Sequence, residues 1–276
     1  MKCGWRYGIR ADSDARARRP RSVLRAAACV LLLSLPLRAE SQTSSQELDS
    51  AIRTLELAIQ REPSNQEHCL RLGALLTRVQ RFRAGLEVAE KTAGSFPLSP
   101  RALEMLGFFQ WKTQHNVAAV ESYTRALRLN PESAGASVGL GMAQMAAGMP
   151  REAARTFEHG IRRFPRHAAH YQAYGILLRR SAEATGESSV RAAAMFEAAL
   201  KIDGQLAESY YQLGVLALER GLPGEAAGRL ETAARLSGHD SRIHYALYRA
   251  YRRLNRAEDA AAALQRSRLA TQSAAQ

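Results

Sequence analysis

The sequence predicts an all-helical protein, built as a linear array of paired antiparallel helices. Three observations lead to this prediction: strand-forming runs are scarce, a 34-residue spacing recurs along the chain, and prolines follow one helix of each pair. Of the 276 residues, 46% are hydrophobic but only 7% are aromatic, and alanine is frequent, which favours helices over strands. A stacked array can reach this length as one elongated unit because each element contacts only its neighbours.

The first 39 residues hold much of the positive charge. They contain nine Lys or Arg against two Asp, so the formal charge of +13 falls to +6 from residue 40 onward. A nucleic-acid-binding protein needs its basic residues on the folded surface, where they neutralise phosphates. The sequence therefore predicts no nucleic-acid partner.

Residues 1–39 are typical of a secretory signal peptide. A basic segment leads into an apolar run at 26–37, bounded by Arg25 and Arg38. This run covers about 18 Å of a roughly 30 Å hydrocarbon core, which is too short for a permanent span. We expect cleavage near Ala39 and a periplasmic or secreted protein, with membrane contact only through the signal segment. Two alternatives stay open: an uncleaved signal that anchors the chain, and a short hydrophobic helix at the start of the fold.

A polar linker is predicted at residues 40–46, and folded sequence from residue 47. Cys3 and Cys29 lie in the leader, so Cys69 is the one thiol left after cleavage, and no intramolecular disulfide can form. A lone thiol in an oxidising compartment is either buried and inert or available to another chain. The buried interpretation is favoured, since free cysteine behaves as a small hydrophobic residue.

A two-residue pair recurs along the chain with fixed spacing. Successive pairs are 34, 34, 34, 39 and 34 residues apart, and a second set of small residues follows at matching intervals. One five-residue insertion between Gly175 and Ala192 explains the longer interval. The pairs are Leu72-Gly73, Leu106-Gly107, Leu140-Gly141, Tyr174-Gly175, Leu213-Gly214 and Leu247-Tyr248, and the small residues are Gly85, Ala119, Ala153, Ala192, Ala226 and Ala260.

Each residue of the second set begins a helical face that is followed by a helix-ending residue. Ala119, Tyr123 and Ala126 trace one side of a helix, and Pro131 follows. Small residues let the two helices of a hairpin approach closely, and the aromatic ring fills the space between successive hairpins. Residues 51–63 repeat the same steps, which predicts a lone second helix at the start of the array.

These residues resemble the tetratricopeptide repeat family, whose 34-residue pattern places Leu-Gly in the first helix and Ala, Phe or Tyr, Ala and Pro in the second. The resemblance covers residues 47–270 and implies a right-handed superhelical solenoid of stacked antiparallel hairpins, followed by a disordered tail at 271–276. It places a lone helix at 47–62 and hairpins at 66–99, 100–133, 134–167, 168–206, 207–240 and 241–270.

The sequence departs from the family pattern at a few places. Gly204 and Gly238 replace the usual proline, and glycine also ends a helix. Tyr248 replaces the small residue of the last hairpin, and we expect it to force those two helices apart. The match is thin at residues 85–92. The insertion lies within residues 181–189 and is expected to lengthen a turn without interrupting the stack.

In this family the first helices of successive hairpins line the inner curve of the solenoid, and the resemblance places a partner-binding groove there. The groove is expected to be apolar in the middle and basic at its C-terminal end. Its predicted residues are Glu104, Phe108, Trp111, Met142, Met145, Ile176, Arg179, Tyr211, Val215, Leu218, Tyr245, Arg249 and Arg252.

Two parts of the groove are candidates for partner contacts. Phe108, Trp111, Met142 and Met145 could form a pocket for apolar side chains; alternatively, they pack between neighbouring first helices. The arginines between residues 242 and 256 could receive acidic residues or a terminal carboxylate of the partner. The favoured alternative is that these arginines form a solvated face that closes the array.

No catalytic residue, cofactor or metal site is predicted. His167 and His170, like His239 and His244, lack Asp, Glu or Cys partners at helical spacing, so structural or solvent-exposed roles are favoured. The sequence also lacks a phosphate-binding glycine loop and a nucleophile elbow. It therefore predicts an exported, non-enzymatic scaffold that binds another protein or peptide. The alternative is a structural component that self-associates or docks end-on to an envelope complex.

Overall fold

The structure, a computed structural model, describes residues 45–180 and 186–275, and every regular element in these ranges is a helix. The predicted fold class is therefore confirmed as an all-helical array of thirteen stacked helices within the described residues. The helices are α1 (Ser45–Arg61), α2 (Gln66–Arg78), α3 (Phe82–Ser95), α4 (Pro100–Lys112), α5 (Asn116–Leu129), α6 (Ala134–Ala146), α7 (Pro150–Arg163), α8 (Ala168–Arg180), α9 (Gly186–Ile202), α10 (Ala207–Glu219), α11 (Pro223–Leu236), α12 (Ser241–Arg253) and α13 (Ala257–Ala275).

Within the described residues, one helix without a partner, α1, precedes six helix pairs. Each helix contacts the next along the chain, and α2, α4, α6 and α8 also contact one another in sequence, as do α10 and α12. We call the even-numbered helices first helices and the odd-numbered helices second helices. The surface that the first helices present together is the first-helix face.

Local sequence signals fix where the helices begin and end. The side chains of Asn65, Ser99, Ser133 and Asp240 accept hydrogen bonds from backbone N–H groups at the starts of four first helices. The second helices from α1 to α11 end two residues before a proline or glycine, at positions 63, 97, 131, 165, 204 and 238. Strong start and stop signals therefore recur at the repeat spacing.

Glycine in the first helices allows the close approach that the sequence predicts. A Cβ atom on Gly107 would lie 2.9 Å from the Tyr123 ring, and one on Gly139 would overlap the same ring from the following first helix. Tyr123 thus fills the space between two successive hairpins, as predicted. Gly141 receives Phe157 in the same way in the next hairpin.

In the first hairpin, α2 and α3, a different residue fills the space between the helices. Its second helix carries Ala89 at the place where α5 carries Tyr123, so no aromatic ring comes from within the pair. Phe109, on the following first helix, fills the gap and contacts the positions of both Gly73 and Gly85. Phe109 is fully buried as a result. The thin sequence match in this hairpin reflects this exchange of the aromatic residue.

Three expectations about the ends of the array are corrected. Helix α1 begins at Ser45, inside the predicted linker, and the acidic Glu47 in its first turn suits a helix N-terminus. Helix α13 continues through residues 271–275, where a disordered tail is predicted. This stretch lacks glycine and proline, and the Thr271 hydroxyl donates to the Ser267 carbonyl at 3.0 Å.

The last hairpin stays closed despite Tyr248, which is the third correction. The Ser267 hydroxyl on α13 donates to the Ser241 carbonyl at the start of α12 over 3.0 Å. Ala260 and Ala263 are buried at the contact between the two helices. The small residues on α13 supply the space that Tyr248 does not, so the helices remain in contact.

Several predictions concern residues that the structure does not describe. The signal peptide at 1–39, the linker at 40–44 and residues 181–185 of the insertion lie outside the described ranges. On either side of the insertion, α8 and α9 pack against each other, with Gly175 facing Phe196. The two helices that flank the insertion are therefore packed as a pair, and α9 also contacts α10 of the next hairpin. In the described part of the chain, no helix has the length and apolar character needed to cross a membrane.

Candidate functional site

A pocket opens on the first-helix face between α2 and α4. Its volume is about 160 Å³. An apolar cavity of about 150 Å³ accommodates a benzene ring, so one aromatic or branched aliphatic side chain fits. The pocket, called the α2–α4 pocket below, is lined by Glu67, Leu70, Arg71, Gly73, Ala74 and Thr77 on α2, by Arg101, Glu104, Met105, Phe108 and Phe109 on α4, and by Tyr123 and Gly135.

Small residues create the space. Gly73 and Ala74 lie on the α2 wall, and a Cβ atom on Gly73 would approach the Met105 side chain too closely to be accommodated without a shift. Leu70, Met105 and Phe109 are buried beneath the pocket and belong to the core. The pocket floor is therefore apolar and held by tightly packed side chains.

Charged residues line the rim in a short network. The Glu67 carboxylate accepts a hydrogen bond from Arg101 at 2.9 Å and lies 3.6 Å from the Arg71 guanidinium. These side chains are roughly half exposed, and exposed ion pairs contribute only about 0–1 kcal/mol each. The network fixes the shape of the rim more than it stabilises the fold.

Glu104 is the unusual charge of the pocket. Burial raises the pKa of its carboxyl group, and a hydrogen bond with Ser133 together with the charge of Arg101 opposes only part of that rise. A partly desolvated carboxylate gains when a ligand brings an N–H donor or a positive charge. Glu104 thus adds a preference for basic or N–H-donating groups to an otherwise apolar pocket.

Trp111 does not line this pocket. Its ring lies 4.7 Å from the Lys112 ammonium nitrogen, which is also 5.3 Å from the Phe82 ring and 5.8 Å from the Phe108 ring. Burial among these rings lowers the pKa of Lys112. Lys112 thus forms a cation–π cluster with Trp111, Phe82 and Phe108.

Met142 and Met145 do not extend the pocket either. Both are half-buried and pack against a core cluster that contains Val138, Phe157 and Tyr174. Of the four residues predicted to form an apolar pocket, Phe108 lines the α2–α4 pocket and the other three do not, whereas Glu104 also lines it. For the two methionines, the alternative of packing between helices is the one that the structure supports.

The remaining apolar groove residues divide into two groups. Ile176, Tyr211 and Val215 are half-buried on core clusters and keep part of their surface open. Leu218 is only 1% exposed and is corrected to a core residue. It packs in the cluster formed by Ile243 and neighbouring alanines, whose small side chains let it sink below the surface.

The C-terminal part of the groove is basic and partly neutralised by the protein itself. Arg179 contacts Gln212 and donates to Glu219 at 2.8 Å. Arg252 donates to the Tyr248 hydroxyl at 3.2 Å, with both side chains near the surface. Tyr245 is 51% exposed, and Arg249 is exposed beside it. This end therefore offers exposed tyrosine and arginine side chains.

His170 and His244 are buried and have partners within the fold. His170 is fully buried, with its Nε2 atom 3.1 Å from the Ser137 hydroxyl and its Nδ1 atom 3.1 Å from Nδ1 of His167. Nε2 of His244 donates to the Gly238 carbonyl at 2.8 Å. Among the residues that the structure describes, no three His, Cys, Asp or Glu side chains come together as a metal site. Cys69 is buried, which confirms the favoured interpretation of the lone thiol.

The repeat is recognised independently in the sequence. One profile described as the tetratricopeptide repeat matches residues 70–134 and 211–274, and another with the same description matches residues 112–175. Together these matches cover more than half of the chain. The chain belongs to the tetratricopeptide repeat family. Members of this family typically act as non-enzymatic scaffolds for protein–protein interactions.

Solved structures share the fold of this tetratricopeptide repeat protein. A chain of the APC/C hetero-tetramer Cut9-Hcn1 matches with a TM-score of 0.69 and 18% identity, over 85% of this protein and 46% of that chain. PilF of Pseudomonas aeruginosa matches with a TM-score of 0.61 and 16% identity, over 75% of this protein and 93% of that chain. TTC0263, a tetratricopeptide repeat protein of Thermus thermophilus, matches with a TM-score of 0.59 and 23% identity, over 67% of this protein and 98% of that chain.

These likenesses concern the fold. The protein spans less than half of the length of the first of these chains. No curated protein matches the sequence. The geometry of the first-helix face therefore has to supply the argument about ligands.

Sequence reasoning missed several residues of the α2–α4 pocket. Glu67 and Arg101 occupy the second place of successive repeats and pair across 34 residues. Glu208 and Arg242 repeat this arrangement at 2.9 Å. Opposite charges one repeat length apart are a sequence signal that could have identified these pairs. Met105 also lines the pocket, but it follows the predicted groove residue Glu104 directly in the sequence and has no such signal.

Proposed function

We propose that this protein is an exported scaffold that binds a segment of a partner polypeptide on its first-helix face. In this proposal, one apolar side chain of the partner enters the α2–α4 pocket. The observation that supports the proposal is the pocket itself, an apolar cavity of about 160 Å³ that Leu70, Phe108 and Phe109 help to line. Concave apolar sites with a few placed polar groups are the usual form of a ligand site.

The charges around the pocket define the preferred ligand. Arg71 and Arg101 are engaged with Glu67, whereas burial disfavours the charged form of Glu104. A segment with an apolar residue next to Lys or Arg would fill the pocket and place a positive charge at Glu104. One buried side chain contributes about 1.5–3 kcal/mol, and a charged hydrogen bond about 1.5–3 kcal/mol. Set against the cost of association, these terms correspond to affinities no tighter than about micromolar.

Export is the second part of the proposal. It is supported by the basic segment, the short apolar run at 26–37 and Ala39 in the sequence. The full chain should be expressed in a bacterial host, and the intact mass of the protein in the periplasmic fraction should be measured. The expected mass is that of a chain beginning at Glu40. A cytoplasmic protein that retains residues 1–39 would contradict export.

Filling the pocket should abolish peptide binding. Ala74 is exposed at the pocket wall, so Ala74→Trp places a ring in the cavity without entering the core. Peptides selected from a random displayed library against the chain from residue 40 should contain an apolar residue beside Lys or Arg. We expect Ala74→Trp to weaken their binding at least about tenfold in fluorescence titrations, a loss of about 1.4 kcal/mol.

The matched control adds the same ring elsewhere. Val117 is 68% exposed on the second helix α5, away from the pocket, and Val117→Trp should leave peptide binding unchanged. Equal affinity of the wild-type and Ala74→Trp proteins for the selected peptides would exclude the pocket as the binding site. Selection of peptides without a shared apolar residue would exclude it as well.

Glu104 should make the binding of basic peptides depend on pH. Only the ionised carboxylate attracts a cation, and its pKa is raised above the ordinary value by burial. Affinity is therefore expected to fall on acidification from neutral pH, starting above the pH at which an exposed glutamate titrates. The Glu104→Gln variant should bind more weakly at neutral pH and show a flat profile. A wild-type profile that follows the Glu104→Gln profile would assign the basic preference to another group.

A further inference from the structure

Helix α1 is a second helix that lacks its first helix in the described structure. Ala51, Leu55 and Ala58 occupy the places that Ala119, Tyr123 and Ala126 occupy in α5. The three residues of α5 are buried by the first helix of their own pair, and the equivalent residues of α7, α9 and α11 are buried in the same way. In α1 all three are only half-buried. An apolar strip that each complete hairpin covers is therefore left partly open at this end.

A wide cleft lies beside this strip. It has a volume of about 1020 Å³ and is lined by Ser50, Ala51, Thr54 and Leu55 on α1 and by Arg71, Ala74 and Leu75 on α2. The side of α1 that carries Ile52 and Ile59 is already buried against the array. The cleft thus runs along a face of α1 that the described helices leave partly open.

The start of α1 does not form the turn that reverses the chain in the other hairpins. The turn between α2 and α3 uses residues 79–81, and one repeat length earlier this turn would fall at residues 45–47. These residues are already helical, because α1 begins at Ser45. The chain therefore continues straight along α1 at the position where the other repeats have the turn between their two helices.

We infer that the open strip of α1 binds the same strip of a second copy of this chain, with the two α1 helices antiparallel across a two-fold axis. A two-fold interface requires a surface that is complementary to itself. In antiparallel register Ala51 of one copy meets Ala58 of the other, so the backbones can approach closely, and the two Leu55 side chains meet near the axis. Glu47 in the first turn then lies near Arg61 in the last turn of the other copy.

The size of the strip sets the strength of the dimer. One pair of helices buries less than the roughly 1,200 Å² of a standard stable interface, so association is expected at micromolar concentrations or above. The dimer does not depend on the proposed peptide site, because Leu55 lies outside the α2–α4 pocket. Arg71 and Ala74 border both the pocket and the cleft, so the decisive variants are made on α1 alone.

The experiment measures mass against concentration. The chain from residue 40, which contains every described helix, should be examined by sedimentation equilibrium from about 1 to about 500 µM. We expect the mass to rise from monomer toward dimer, and Leu55→Glu to keep the protein monomeric. Arg53→Glu, which adds a carboxylate to the opposite side of the same helix, should dimerise like the wild type. Circular dichroism of each variant should show unchanged helicity.

Charge reversal provides a second readout specific for self-pairing. Glu47→Lys and Arg61→Glu should each weaken the dimer several-fold, since each places like charges opposite one another twice in the two-fold interface. The double variant Glu47→Lys/Arg61→Glu should recover the wild-type dimer. A wild-type protein that stays monomeric throughout the range would overturn the proposal, and so would a dimer that survives Leu55→Glu. Failure of the double variant to recover would overturn the antiparallel arrangement.

Discussion

Replacing Phe157 with alanine is expected to lower the free energy of unfolding by about 3–5 kcal/mol, as for other fully buried aromatic residues. Phe157 on α7 is fully buried and occupies the space left by Gly141 on α6. Its ring also lies 6.4 Å from the Tyr174 ring on α8. The side chain thus joins three helices, and its loss leaves a cavity that a tightly packed array cannot fill.

Urea unfolding followed by circular dichroism would measure this effect. Leu98 is 79% exposed in the turn before α4, so Leu98→Ala is the matched truncation and should change stability by less than about 0.5 kcal/mol. Because each repeat contacts only its neighbours, hydrogen exchange should quicken first in α6, α7 and α8 of the Phe157→Ala variant. A loss below about 1 kcal/mol would show that the glycine–aromatic contact is not a main support of the array.

The repeat spacing carries most of the information about the fold. The first helices begin at residues 66, 100, 134, 168, 207 and 241, which are also the first residues of the predicted hairpins. Four of these six starts have a capping side chain, such as Ser99 or Ser133, and a proline or glycine follows the second helices from α1 to α11. Signals of this kind act within a few residues, so the sequence alone can place them.

The turns between paired helices show a feature that the sequence hides. Gln80, Gln114 and Asn255 adopt positive φ values of 56°, 69° and 58°, at the places where Gly148 and Gly221 do so in other hairpins. The left-handed conformation favours glycine, and glutamine gives no sign of it. The one feature that these five residues share in the sequence is their position within the repeat.

The candidate site was less predictable because it depends on contacts between hairpins. The α2–α4 pocket forms where Phe109 replaces a missing aromatic residue of the first pair and small residues line α2. Trp111 lies one helical turn from Phe108, but the Lys112 ammonium group lies over its ring. Leu218 has the same place in its repeat as Trp111, yet it is buried because α12 presents small side chains to it. Helical spacing identifies a face but does not measure how deeply each residue sinks into the neighbouring helix.

Acidification is expected to destabilise the protein through His170. Burial, followed by the positive charges of His167 and His159, lowers the pKa of this imidazole to about 3. In the unfolded chain its pKa is about 6.5. Between these two values the unfolded chain binds a proton that the folded chain does not. Stability is therefore highest above about pH 6.5 and falls as the pH drops toward 3, by up to about 1.4 kcal/mol for each pH unit from this group.

The environment of His170 explains why the folded protein resists the proton. Its ring is fully buried, stacks on Phe164 with the centroids 5.6 Å apart, and lies against Gly160, where a side chain would have no room. Its two nitrogens already face the Ser137 hydroxyl and the His167 ring, so a charged imidazole would gain no anionic partner. Unfolding free energies measured in urea from pH 7 to pH 4 should fall more steeply for the wild type than for His170→Gln. The exposed His239→Gln control should keep the wild-type slope, and parallel slopes for the wild type and His170→Gln would refute the role of this histidine.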